Sequence, residues 1–297
     1  TGYSSSKPQV SREVSFIESP RLRSDNNEGI SLEVVLTPGQ VGGQKAPHKR
    51  FLVNGVGKRQ IDFVGNLFTV LFWPEDLDLV TGSPSLRRRY LDFILCQVDR
   101  EYRRSLLSYE KGVRQRNRLL ERIRDGEASR SQLMFWDQLL IKAGNYLTNR
   151  RQDLIDYIND SPKPFGEFTI VYDHSYISEA RLAQYADAEV GAAVTLVGPH
   201  RDELKFLEKE RVLSSFGSRG EQRLCVLWLK LSELKFITQE VQEKPVLLLD
   251  DIFSELDHAH REEVLKIVGE QQTIITTTDE HFVPASLRKR AKVIELG

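Results

Sequence analysis

The stretch "KPVLLLDDIFSELD", residues 244–257, constrains the fold of this chain more than any other. Val246 to Leu249 form a short apolar run between Pro245 and paired acids, the pattern of a strand inside a covered sheet. The expected class is therefore α/β. A carboxylate at the C-terminal edge of such a strand, Asp250, sits where a hydrated Mg2+ ion could be held. A second acid one residue on, Asp251, can orient an attacking water. Paired acids also end strands with no such duty, so the neighbouring segments decide.

Upstream lies "SSFGSRGEQR", residues 214–223. Ser218 and Glu221 have the spacing of a capping box, in which the serine oxygen accepts a first-turn N–H and the glutamate reaches back. Serine and glycine at a helix start also leave backbone amides and the positive end of the dipole facing outward, which suits an anion. Both roles are compatible. The helix that follows, "EQRLCVLWLKLSELKFI", is apolar on nearly all sides and reads as buried, and "QQTIITTTDE" reads as a further short apolar strand.

Three regions are expected along the chain. Residues 1–85 alternate like antiparallel strands, with "EVSFIE", "SLEVVLTP", "KRFLVNG" and "LFTVLF" bounded by Gly, Pro or Asn, and "TPGQVGGQKAPHKR" as a long hairpin loop. Residues 86–160 are helical. Ser83 and Pro84 suit the cap and first position of a helix, and two heptad-like seams follow. The first runs Tyr102, Leu106, Tyr109, Val113, Leu120, Ile123, interrupted by Arg116; the second runs Leu133, Trp136, Leu140, Ala143, Leu147, Arg150, Leu154, Tyr157. With the turn "DGEASRSQ" between them, they predict an antiparallel helical hairpin. Residues 161–297 return to strands and buried helices, with "EFTIVY" a strand and "GAAVTLVGPHRDEL" a strand entering a turn.

Charge is uneven. The chain carries a net −1, yet residues 87–124 hold twelve Lys or Arg against five acids. That asymmetry points to one polyanion-facing element. Most of these cations fall off the first seam and should face outward; the alternative is an ordinary solvated helix face. No run approaches a membrane span and no basic-apolar leader opens the chain, so a cytoplasmic location is expected. Cys96 and Cys225 lie in apolar helical surroundings and read as reduced, buried thiols.

"GSRGEQR", "PVLLLDDIFSELD" and "TIITTTD", in that order, resemble the signature, Walker B, D-loop and switch segments of SMC-like ABC ATPases. With "VNG", "VLFWPEDLDLVTGSPSLRRRYLD", "YEKGVRQRN" and "LVGPHRDEL", the chain more narrowly resembles the RecF family of bacterial recombination mediators over nearly all its 297 residues. The resemblance implies an ABC-type head in two lobes with an inserted antiparallel hairpin, ATP and Mg2+ as cofactors, and a homodimer closed head to tail by ATP. It implies binding of single- and double-stranded DNA at gaps, help in loading a recombinase, and RecR and RecO as partners. Carried over position by position, Asp250 holds the metal's water shell and Asp251 stands where the general base acts. Ser218, Gly220, Gln222, Asp257 and Thr278 contact nucleotide, with Thr277 the other candidate for the switch position. "SELD", residues 254–257, crosses the interface, and Arg103, Arg104, Lys111, Arg114, Arg118 and Arg122 face DNA. Glu75 and Asp76 in "WPEDL" match the Q-loop in location only. His200 and Arg201 form an exposed pair that could touch nucleotide, DNA or a partner, and His281 lies off the motif.

Two departures are mild: Trp73 replaces a small residue, and "SRGEQ" replaces the commoner "SQGQQ". The third is large. A phosphate-binding GxxxxGK[ST] is absent. "GQVGGQKA" has Gln44 and Ala46 where glycine and a hydroxyl belong. "GVGKRQ" has Gly57 and Lys58, but Arg59 in place of the hydroxyl and no strand-to-helix setting, so both read as loop decoys. In RecF-like chains that loop precedes everything seen here, and Thr1 stands where an initiator methionine would, so a lost N-terminal segment is expected. The full-length parent resembles a slow DNA-stimulated ATPase. The chain as read is expected to be inactive alone, and the alternatives are a non-hydrolysing DNA- or partner-binding module and another SMC-like ABC ATPase.

Overall fold

A computed structural model describes residues 13–15, 29–36, 40–41, 44–45, 47–255 and 258–295. The chain divides into two compact units, Thr1–Leu67 and Phe68–Gly297. In the first, strands β1 (Glu13–Ser15), β2 (Leu32–Leu36), β3 (Gln40–Val41), β4 (Gln44–Lys45), β5 (Lys49–Val53) and β6 (Val56–Lys58) precede a single helical turn, α1 (Gln60–Phe63). The main sheet has the order β1-β2-β5-β6, antiparallel throughout, and β3 pairs with β4 inside the expected hairpin loop. Asn54 and Gly55 both take positive φ, 51° and 73°, which is the backbone a two-residue turn between right-twisted strands requires. Gly57 and Lys58 therefore lie in a strand followed by α1, and not in a loop as expected. Arg59 still offers no hydroxyl there.

The second unit contains β7 (Thr69–Phe72), α2 (Asp78–Thr81), α3 (Pro84–Val98), α4 (Arg100–Arg124), α5 (Met134–Asp160), β8 (Phe168–Asp173), α6 (Glu179–Ala192), β9 (Glu203–Glu208), β10 (Arg211–Val212), α7 (Leu213–Phe216), α8 (Arg219–Val241), β11 (Val246–Asp250), α9 (Ile252–Glu255), α10 (His258–Val268), β12 (Thr273–Thr276) and α11 (Ala285–Arg288). β11 is the middle strand of a parallel sheet ordered β12-β11-β7, with Leu248 opposite both Leu71 and Ile274. "LFTVLF" was expected among antiparallel strands. It instead joins β11 in parallel, because Val70 and Phe72 are both buried and find their partner far along the chain. A second sheet, β10-β9-β8, is antiparallel.

Helix α8 is buried along its length, with Cys225, Leu227, Trp228, Leu229, Phe236 and Ile237 in the core. α4 and α5 form the antiparallel hairpin the two seams predict. Asp99 caps α4 through its side chain, accepting the amides of Glu101 and Tyr102 at 2.8 and 2.9 Å. The arms approach closely at Gly112, where a Cβ would meet Leu139 and Leu140 within 3 Å.

The expected strand in "GAAVTLVGPHRDEL" does not form. α6 ends at Ala192, Ala193 turns left-handed at φ 53°, and Pro199–Arg201 is a single 3-10 turn. Side chains take the backbone bonds a sheet would have used: Asn117 accepts the Thr195 amide (2.8 Å), Glu189 the Leu196 amide (2.8 Å) and Ser175 the Gly198 amide (3.1 Å).

Candidate functional site

β11 delivers its acids as its sequence predicts. Leu247 and Leu249 point into the core at 1% exposure each, which leaves Asp250 at the C-terminal end, open to solvent. Asp250 pairs in register with Thr276 of β12, whose hydroxyl donates to its carboxylate. Asp251 adopts φ 49° and its amide donates to the Thr276 carbonyl at 3.2 Å. That left-handed residue turns the chain out of the sheet and into α9, a conformation Asp tolerates better than most residues. Thr276 is the side chain that holds the Asp250 carboxylate, a contact to which only the triple threonine pointed in the sequence.

Beyond β12, Thr277 and Thr278 are both exposed, but Thr277 Oγ1 donates to the Asp279 carbonyl at 2.8 Å and is occupied in its own turn. Of the two switch candidates, Thr278 is the more available. Ser254 and Glu255 end α9, and Asp257 lies outside the described residues. Among the described residues no group of three or more His, Cys, Asp or Glu side chains could hold a metal ion. Asp250 fits a magnesium ion that keeps most of its water and takes a single carboxylate from this strand.

The helix start ahead of α8 is built as the capping box predicts. Glu221 N–H donates to Ser218 Oγ (3.2 Å) and Ser218 N–H to Glu221 Oε2 (2.6 Å), and the second bond holds the Glu221 carboxyl below its usual range. Ser218, Arg219 and Gly220 are exposed, and a Cβ on Gly220 would meet only Ser218 Oγ, at 3.9 Å. A ligand could approach this backbone closely. Gln222, carried over as a nucleotide contact, is instead buried. Its Nε2 donates to the Leu213 and Gly217 carbonyls at 2.9 and 3.2 Å, so within this chain it braces the loop that presents Ser218.

Asp76 is also buried. It accepts the Trp73 amide (3.0 Å) and indole N–H (3.1 Å), and meets Lys230 Nζ at 3.1 Å. Burial raises its pKa against the pull of Lys230. Asp76 and Lys230 are joined by Glu233 and Tyr90, whose hydroxyl donates to Glu233 at 2.8 Å.

His200 corrects an expectation. It is only partly accessible: Nε2 lies 3.0 Å from the Thr195 carbonyl and Nδ1 2.8 Å from the Tyr109 hydroxyl. With Nε2–H donating and Nδ1 accepting, a neutral ring satisfies both contacts, and burial lowers its pKa to about 4. Arg201 is exposed and donates to the same carbonyl at 3.1 Å. The "GPHRD" turn is thus a clamp on the hairpin. Arg151 of α5 donates to Pro199 O (2.7 Å), Asp202 (2.8 Å), Asp92 (2.8 Å) and the Tyr102 hydroxyl (3.0 Å). Arg116 does not merely interrupt the seam. It is 2% exposed and pairs with Asp137 and Glu189, each at 2.7 Å.

The basic candidates on α4 separate into two groups. Arg104, Lys111, Arg114, Arg118 and Arg122 are exposed. At 100° per residue they fall within a sector of roughly 80°, and at 1.5 Å per residue they span about 27 Å. Arg103 lies to the side, with Nη1 donating to the Cys96 carbonyl at 2.6 Å, so it fastens α4 to the end of α3.

These features define the class, an α/β head of the ABC ATPase type carrying a helical hairpin. No protein-family model matches the chain. DNA replication and repair protein RecF of Herpetosiphon aurantiacus is 39% identical over 263 residues, which cover 82% of this chain and 68% of that protein. The protein of the same name from Thermomicrobium roseum is 38% identical over 288 residues, covering 85% and 72%. Two solved structures of the recombination mediator protein RecF in the RecFOR pathway, RecF-ATPrS and RecF-ATP, superpose with TM-scores of 0.77 and 0.76 at 30% and 29% identity. The match covers 88% and 84% of this chain, and 74% and 71% of those chains. The chain belongs to the RecF family of DNA replication and repair proteins.

Proposed function

We propose that this chain serves recombinational repair as an ATP-dependent DNA-binding protein that works as a head-to-tail dimer. It would engage single- and double-stranded DNA at gaps and help load a recombinase, with RecR and RecO as partners. The observation that carries the reading is the division of the site. Asp250 and Asp251 end a central parallel strand, while Ser218 and Gly220 stand exposed on a different element with nothing covering them. Each set is half of a nucleotide site, and a second copy supplies the other half.

ATP bound with Mg2+ would bring the phosphoryl chemistry. Asp250 would hold the metal's water shell, Asp251 would position the attacking water, Thr278 would stand at the switch, and Ser218 and Gly220 would meet the phosphate held by the partner copy. Asp257 belongs to the same proposal. The exposed stripe on α4 would meet DNA phosphates, making binding salt-dependent and largely indifferent to sequence. We propose a cytoplasmic location, where the DNA and recombinase of this role would be met. No helix among the described residues is long and apolar enough to cross a membrane.

The test is self-association of the protein carrying a GxxxxGKT segment ahead of Thr1, followed by sedimentation velocity with and without ATP. Dimers that need ATP and are lost in Ser218→Arg are expected, since a long cation would fill the opening beside Gly220. Dimerisation indifferent to ATP would sink the reading. It would leave a non-hydrolysing DNA- or partner-binding module as the alternative.

A further inference from the structure

A cavity of about 460 Å³ opens along the C-terminal half of α8. Its wall includes Trp228 and Lys235 of α8, Pro162 and Pro164 from the α5–β8 connection, and Lys266 and Gln271 from α10 and the turn after it. None of these residues takes part in the site described above.

Two features of the cavity call for a ligand. Trp228 is 1% exposed and its indole N–H has no hydrogen-bond partner in the structure; the Gln271 side-chain amide nitrogen, which is also buried, has none either. Buried donors are nearly always satisfied, so two residues of one cavity wall that each carry such a donor point to acceptors supplied from outside. The second feature is charge. Lys235, Lys244 and Lys266 line the cavity, and Lys163 Nζ stands 5.9 Å from the centre of the Trp228 ring. Lys244 meets Glu270 at 3.2 Å, whereas Lys163 and Lys235 make no ion pair among the described residues.

We propose that this cavity receives an acidic peptide segment of a partner protein. Main-chain carbonyls of the segment would accept from Trp228 and Gln271, and its carboxylates would meet Lys235, Lys163 and Lys266. The prolines fit the same occupant, since they give the wall a rigid edge that costs no ordering on binding. A nucleic-acid strand fits less well. The ring of Trp228 packs against Phe168, 5.9 Å between ring centres, so it is not a free face for a base to stack on.

The experiment measures fluorescence anisotropy of a fluorescein-labelled hexaglutamate peptide titrated with the whole chain. Saturable, salt-sensitive binding is expected. Lys235→Glu should weaken it about tenfold by placing a like charge in the cavity. Trp228→Phe keeps an aromatic ring, though a smaller one, but removes the donor, and should weaken binding by roughly threefold to tenfold. Lys205→Glu, exposed on β9 and outside the cavity, should leave it unchanged. Circular dichroism melting of each variant separates lost binding from lost folding, and the surface change Lys235→Glu keeps the test open if Trp228→Phe unfolds. Absence of binding, binding unaffected by Lys235→Glu, or displacement of the peptide by an oligothymidine whose own affinity falls in Lys235→Glu would each overturn the proposal; the last would assign the cavity to nucleic acid.

Discussion

Replacing Arg151 with methionine keeps most of the side-chain volume and removes the charge at the centre of the hairpin clamp. The guanidinium is 3% exposed and lies 2.8 Å from both Asp202 and Asp92. Deleting one partner of a buried ion pair costs about 3–5 kcal/mol, because the remaining charge is left uncompensated. Two features place this site at the lower end. Asp202, 1% exposed, keeps the Tyr172 hydroxyl and the Ser175 amide as donors, and Asp92, 21% exposed, can reach water. A loss of about 3 kcal/mol is therefore expected. At roughly 2–4 °C per kcal/mol for a chain of this size, Tm should fall by about 6–12 °C. Urea titration and scanning calorimetry measure both quantities. Adding Asp202→Asn to Arg151→Met should recover part of the loss, since it removes the stranded charge. A loss below about 1 kcal/mol in the single variant, or a further loss of similar size in the double variant, would refute the idea that this pair holds the hairpin to the "GPHRD" turn.

The α4 stripe should be read out by salt: each of Lys111→Ala and Arg118→Ala is expected to lower the slope of log K against log salt for duplex DNA by about one, whereas Arg103→Ala should leave the slope unchanged and lower Tm. His200 titrates at about 4 in the folded protein and near 6.5 when free, so its neutral form is the one folding favours. Its contribution is present above about pH 6.5 and is lost as pH falls toward 4. Urea midpoints between pH 7.5 and 4.5 should therefore fall less steeply in His200→Gln, by up to roughly 3 kcal/mol across the window. Burial raises the Cys96 thiol to about 12 and pushes Cys225 up as well. Neither should react with a thiol reagent in the folded chain at pH 8, and both should react once urea unfolds it.

Much of the candidate site was legible because it rests on local chemistry. An apolar run ending in two acids makes a strand that carries carboxylates to its end wherever that strand lies, and β11 does so. Serine with glutamate three residues on closes a capping box within a single helical turn, and heptad spacing forces two helices together along a seam. Other features depended on partners far away in the chain. The alternation of "LFTVLF" is the same for a parallel or an antiparallel neighbour, and only the fold set it beside residues 246–249. The expected strand around Thr195 failed because Asn117, Ser175 and Glu189 supplied its hydrogen bonds first.

Charge shows the same division. Sequence alone located the excess of cations in residues 87–124 and the 3.6-residue period that turns some of them outward. It could not tell that Arg116 would be buried against Asp137 and Glu189, that Arg103 would bind the end of α3, or that Gln222 would brace the loop before α8. A single residue's type and spacing set its local conformation. Whether a charged side chain meets solvent or a buried carboxylate depends on which distant elements close over it, and that was decided only when the tertiary structure formed.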